Sequence, residues 1–186
     1  MKPAATMNGA PAANAGHAGG ITQYRMPAKV LHWLTAALVL VLVSSGVIAK
    51  QLDGGELGDV LLTLHKTTGI LTLVVIVMRV IYRLTHFDPV GSPRSDRRPG
   101  IHWLLYATIL LVPLLGWAGV SDFGARGILF GYSLPPIWPE GAGYADLLLQ
   151  LHAYIAFVLL ALVALHIGIA MQDYMTRGRT DSLRDD

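Results

Sequence analysis

Four apolar stretches, at about residues 28–49, 60–84, 100–121 and 146–172, leave this chain few ways to fold. Each is long enough to cross a hydrocarbon core of about 30 Å at about 1.5 Å per residue. Backbone inside lipid must satisfy its own hydrogen bonds, so apolar runs of this length are helices. The expected fold class is an all-α membrane protein, a bundle of four transmembrane helices. A composition that is 53% hydrophobic and 14% charged, with a mean hydropathy of +0.51, agrees with a chain that lives mostly in lipid. Three parts are expected: a disordered segment over 1–20, a four-helix domain over 21–176 and a polar tail over 177–186. The lead-in is Ala, Gly, Asn and Pro with one early Lys2, and it lacks the apolar run of a secretory signal. The sequence holds no cysteine, which excludes disulfides, iron–sulfur ligation and thiolate zinc sites.

Charge orients the bundle. Lys2, Arg25 and Lys29 precede the first span; Arg79, Arg83, Arg94, Arg97 and Arg98 surround the second connection; Arg177, Arg179 and Arg184 follow the last span. The other two connections hold only Lys50, Lys66 and Arg126, against Asp53, Glu56, Asp59, Asp122, Glu140 and Asp146. By the positive-inside rule both termini are cytoplasmic. Basic residues that hug the membrane suit anionic lipid headgroups and argue against nucleic acid as a partner. The first connection, about 50–59, is short enough to make spans one and two antiparallel neighbours. The second, about 85–99, carries Pro89, Gly91, Pro93 and Pro99 and reads as an irregular loop. The third, about 122–145, mixes aromatics with helix breakers from Phe130 to Pro139, a composition that suits the membrane–water interface. Pro113, inside the third span, reads as a kink repaired by neighbouring helices.

Seven histidines are present, and four of them, His32, His65, His152 and His166, lie inside apolar spans, where each needs a partner. Any one alone is as readily a neutral imidazole bonded to a neighbouring helix. The set is harder to explain that way. His152 and His166 are fourteen residues apart, nearly four turns, so both project from one face of the fourth span about 21 Å apart. Topology then matches depths in two pairs: His32 with His166 on the inner side, His65 with His152 on the outer. A metal held by two opposed imidazoles, with no cysteine or carboxylate at hand, points to haem iron, because zinc wants four ligands and neither level offers more. Filling both axial positions gives a centre that exchanges electrons without binding oxygen.

Other residues fit the same picture, each with a plainer alternative. Gly69 is one turn after His65, and Gly46 is fourteen residues after His32, on its face at the outer level. Glycine admits a flat macrocycle but equally serves close helix packing. Arg79, fourteen residues after His65, is a candidate partner for a propionate of the inner haem through its guanidinium fork, or it snorkels to the headgroups. His102, at the inner start of the third span, is a minor alternative ligand or a proton-handling group near a quinone. His17 and His86 fall in polar segments and read as solvated.

These residues together resemble the bacterial diheme cytochrome b561 family over about residues 24–184. The likeness rests on Tyr24, His32-Trp33, His65, Gly69, Arg79, Arg83-Leu84, His102, Tyr106, Pro113, Gly116, Phe130-Gly131, Pro135 and the His152–His166 spacing. The final Asp185-Asp186 departs from the usual family ending, which touches no ligand. The resemblance implies a cytoplasmic (inner) membrane bundle holding two haems b, iron protoporphyrin IX, ligated as above. It implies exchange with the quinone pool, ubiquinone included, and for some members oxidation of superoxide on the outer side.

Two functions from different classes follow. One is a stand-alone oxidoreductase carrying electrons between an outer donor and quinone, with superoxide as its most specific version; net acidic outer loops weigh against steering such an anion. The other is a cytochrome b anchor and electron-relay subunit for a peripheral dehydrogenase or hydrogenase, acidic loops facing a basic partner. A homodimer or a redox partner protein is the expected company in the bilayer. A haem-free bundle with structural histidines is the bland alternative.

Overall fold

The computed structural model describes the backbone over residues 17–52, 54–85 and 99–182, and side chains over 26–52, 54–82, 84–85 and 100–176. It consists of α1 (His17–Gln51), α2 (Glu56–Thr85), α3 (Pro99–Phe123) and α4 (Ala145–Ser182), with one 3₁₀ turn, Leu129–Gly131, between α3 and α4. All four helices contain apolar spans, of 26, 27, 24 and 32 residues, longer than the roughly 20 that a bilayer requires. The expected spans therefore all form. The expectations for His86, Pro89 to Arg98 and residues 183–186 fall outside the described residues, as do those for the side chains of His17, Tyr24, Arg25, Arg83 and residues 177–182.

Gly54 and Gly55 make the turn between α1 and α2; both have positive φ, +98° and +84°, where a side chain would be strained. The chain then packs as two helical hairpins. α1 lies along α2 and α3 along α4, while α2 touches α3 over a shorter length. Among the described residues, α4 brings no Cα within 8 Å of α1 or α2. Helices in ordinary contact run 8–10 Å axis to axis. The two hairpins thus stand apart along much of their length, and α2 is the helix that joins them.

What holds the hairpins is small and polar as much as apolar. Thr68, Thr72, Val75 and Ile76 form the buried stripe of α2, at helical spacing, with Thr35 and Ser45 buried on α1. Three of these hydroxyls donate back into their own helices, Thr35 to the Leu31 carbonyl, Ser45 to that of Val41 and Thr72 to that of Thr68. On α3, Gly119 lets α4 come close: a Cβ there would lie 2.7 Å from Leu149 Cδ2.

The end of the bundle carrying the α1–α2 turn and the α3–α4 connection is called here the loop end, the opposite one the terminal end. At the loop end the connection folds back on the helices. A small hairpin closes through Ile128 N–H to Tyr132 O (2.8 Å) and Leu134 N–H to Arg126 O (3.0 Å). Thr67 on α2 accepts from Leu129 N–H, and Lys66 donates to Ala125 O at 3.0 Å. Trp117 on α3 donates to Pro135 O at 2.9 Å. The buried Asp122 carboxylate receives the N–H groups of Gly143 and Tyr144, and its main-chain oxygen that of Gly141. Asp122 therefore sets where α4 begins. Asp122→Ala strands those side-chain-bonded donors and is expected to destabilise the protein by about 2–4 kcal/mol, with Asp122→Asn losing less. Thermal unfolding in detergent checks this, and equal melting temperatures for wild type and the alanine variant would remove Asp122 from this role.

Candidate cofactor site

The loop-end pair is built twice by the same local device. His65 projects from α2 toward α1, and its Nδ1 lies 2.9 Å from the Leu42 carbonyl. His152 projects from α4 toward α3, and its Nδ1 lies 2.8 Å from the Val112 carbonyl. A carbonyl can only accept, so in both rings Nδ1 carries the proton and Nε2 keeps its lone pair. Both carbonyls belong to helices, where the turn above normally covers them. Gly46 is four residues after Leu42, and Gly116 four after Val112. Side chains on a helix lean toward its N-terminus, so the residue at i+4 shields the carbonyl at i. Glycine uncovers it. A Cβ on Gly46 would stand 2.9 Å from Cε1 and Nδ1 of His65, and one on Gly116 would stand 3.0 Å from Nδ1 of His152. The two rings face each other with centroids 5.9 Å apart and planes at 86°.

At the terminal end, His32 of α1 and His166 of α4 have ring centroids 6.4 Å apart, planes at 65°. The sequence pairing of depths is thus reproduced as proximity at both levels. His102 of α3 stands closer to His166 than His32 does, at 5.3 Å. One turn along α3, Tyr106 lies under the Arg79 guanidinium, 5.5 Å from carbon to ring centroid. Trp33 packs edge-on to His32 at 5.8 Å.

The remaining candidates fall unevenly. Gly46 sits at the loop-end level as expected, yet what it makes room for is the His65 ring. Gly69 faces α1, where its missing Cβ would meet only Leu42 Cδ2 at an ordinary 3.8 Å, the helix-packing alternative. Sequence reasoning missed the part played by Gly116, which it used only as a family match. It also missed the Leu42 and Val112 carbonyls, since no side chain signals a main-chain acceptor. Pro113 lies within an unbroken α3.

The fit to a metalloporphyrin can be judged from these contacts. Two imidazoles gripping one metal at about 2.0 Å each hold their ring centroids about 6 Å apart, and the two pairs measure 5.9 and 6.4 Å. A ligand imidazole whose other nitrogen donates to a carbonyl is the usual way that ring is oriented and made more basic. Among the described residues no three of His, Cys, Asp or Glu converge as a metal site of their own. Two imidazoles per level, were they to hold a metal, would leave its remaining donors to a flat macrocycle. α4 stands apart from α1 and α2, the helices whose histidines face its own, which leaves a flat group room between them.

The model of the prokaryotic cytochrome b561 family matches residues 23–181 of the chain. A probable superoxide oxidase, CybB, of Yersinia pestis is 24% identical over 156 residues, 81% of this chain and 88% of that protein. Cytochrome b561 homolog 1 of Escherichia coli K12 is 26% identical over 147 residues, 76% of this chain and 84% of the relative. Cytochrome b561 homolog 2 of the same bacterium is 25% identical over 162 residues, with 82% and 85% covered.

Proposed function

The chain belongs to the prokaryotic cytochrome b561 family and is a multi-pass bacterial inner-membrane cytochrome, and on that premise we propose that it holds two haems b and carries electrons between a donor at the loop end and the quinone pool. The observation that carries this reading is the pair of imidazole pairs at two heights, each spaced for one metal. His65 and His152 would hold one haem, His32 and His166 the other. Haem iron held by these imidazoles would supply one-electron exchange. The residues of the chain do the rest. The Leu42 and Val112 carbonyls fix the tautomer of the loop-end ligands, Gly46 and Gly116 admit those rings, and Arg79 supplies a cation at the terminal level for a propionate.

The basic residues around the terminal end support a cytoplasmic position for it, with the loop end outside. With superoxide as donor, two anions each give up one electron and become dioxygen; one quinone takes both electrons and two protons. The name of the Yersinia relative supports that version. The acidic balance of the loop end supports a second reading, in which a basic peripheral dehydrogenase or partner cytochrome docks there and this chain, alone or as a homodimer, relays its electrons.

An optical redox titration of purified protein, with haem quantified per chain, tests the proposal. The expected result is about two b-type centres with separable potentials. A sample with no Soret band after expression with ample haem, or with one haem per chain, would overturn it. Stable purification alone with reduction by small donors favours the first reading; obligate co-purification with another subunit favours the second.

A further inference from the structure

One ammonium lies inside a span. Lys66 follows His65 directly in α2, within the second apolar stretch. An ionisable side chain at that depth calls for a reason. A lysine there ordinarily snorkels toward the headgroups. Lys66 is instead half-buried, and its Nζ donates to the Ala125 carbonyl at 3.0 Å, in the connection that folds back over the helix. Thr67, the next residue, ties the same connection through Leu129 N–H with an uncharged hydroxyl. A carbonyl needs only a donor, so tethering alone does not call for a charge.

The other charges at the loop end stand differently. Lys50, in the last turn of α1, is exposed. Arg126 is matched by Glu140 at 3.1 Å. The Asp122 carboxylate is taken up by the N–H groups of Gly143 and Tyr144. Glu56 and Asp59 are exposed, and Asp59, about two turns along α2 on the Lys66 face, attracts the ammonium across solvent. What remains is one half-buried positive charge at the level of the loop-end histidine pair. Chain neighbours have Cα atoms about 3.8 Å apart, so this charge stays within side-chain reach of the His65 ring.

We propose that Lys66 is a fixed cation that raises the reduction potential of the loop-end haem and so favours electron entry at that end. The inference rests on the two-haem reading above and adds what sets the potential of one centre. The electron that leaves the donor adds one unit of negative charge at this level. A cation already held in place by a carbonyl offsets it without having to move. At an effective dielectric of about 20, a unit charge about 12 Å from a redox centre changes a one-electron reduction equilibrium about ten-fold, which is about 59 mV.

Spectroelectrochemical titration of the detergent-solubilised holoprotein reads the potential of each spectral component, the loop-end one being that which His152→Ala removes. Lys66→Gln removes the charge and keeps an N–H donor. It should lower the loop-end potential by about 59 mV, the ten-fold change, and leave the terminal-end component where it was. Lys66→Arg should restore the wild-type value. Thr67→Val cuts the neighbouring tether and keeps the charge, so its potential should stay at the wild-type value. Lys50→Gln, which removes an exposed and screened cation, should shift it far less than Lys66→Gln. If Lys66→Gln does not fold, Lys66→Met, with an unbranched apolar chain, decides the matter by the same fall. An unchanged loop-end potential in the neutral variant, or an equal fall in Lys66→Arg or in Thr67→Val, would overturn the role of the charge. A wild-type protein without a loop-end haem would instead overturn the two-haem reading itself.

Discussion

His152→Ala and His65→Ala each lower the haem content from about two per chain to about one, and both remove the same spectral component; His32→Ala and His166→Ala remove the other. The expectation follows from which rings meet. The rings of His65 and His152 are 5.9 Å apart and those of His32 and His166 are 6.4 Å apart, joining α4 to α2 and to α1, helices it otherwise does not approach. Taking one imidazole from a pair leaves a single protein ligand, and a buried centre held from one side loses several kcal/mol of binding. The surviving pair is about 21 Å away along α4 and belongs to a different set of contacts, so its loss is not expected to follow. Haem quantified against chain, with low-temperature α-band spectra, reads the result. Loss of both haems in all four variants would report a bundle that collapses as a unit. His102→Ala removing the terminal-end haem while His32→Ala spares it would reassign that ligand to α3.

Much of this arrangement was legible from the chain, for a physical reason. Lipid offers no hydrogen bonds, so apolar length alone fixes four helices, and short connections fix their order. Depth is then a matter of counting residues, and counting brought His32 to His166 and His65 to His152. Counting along a helix gives height and face but not what stands across the gap. That is why Gly46 was placed at the right level for a cofactor contact when its first neighbour is the His65 ring. It is also why the share of His102 was unclear: its height was readable, while its 5.3 Å approach to His166 depends on where α3 sits around the bundle. The folded connection from Ala125 to Tyr144 was the least legible part. Its order comes from main-chain bonds to Lys66, Thr67 and Asp122, and acceptors of that kind leave no pattern in composition.

Gly46→Val and Gly116→Val are expected to empty the loop-end haem while every ligand stays in the sequence. At both positions the first carbon of a side chain falls where an imidazole already lies, 2.9 Å from Cε1 and Nδ1 of His65 and 3.0 Å from Nδ1 of His152. Neither obstacle is the loose end of a flexible chain; each is a ring held by its own hydrogen bond to a carbonyl. The ring must swing away, and its Nδ1–H bond breaks with it. Overpacking of this kind runs to about 1–3 kcal/mol, and loss of the group that orients a metal-bound imidazole lowers affinity about 10–100-fold. Together they should leave the loop-end site mostly unfilled at haem concentrations that saturate the wild type, with the terminal-end haem intact. Alanine at the same positions should fall between. Gly69→Ala and Gly168→Ala are the controls: a Cβ meets only an ordinary 3.8 Å contact with Leu42 at the first and nothing within 4 Å at the second, so both should keep two haems. If the valine variants retain a normal loop-end spectrum, the carbonyl-bonded rings are not the ligands. The uncovered carbonyls of α1 and α3 would then serve helix packing alone.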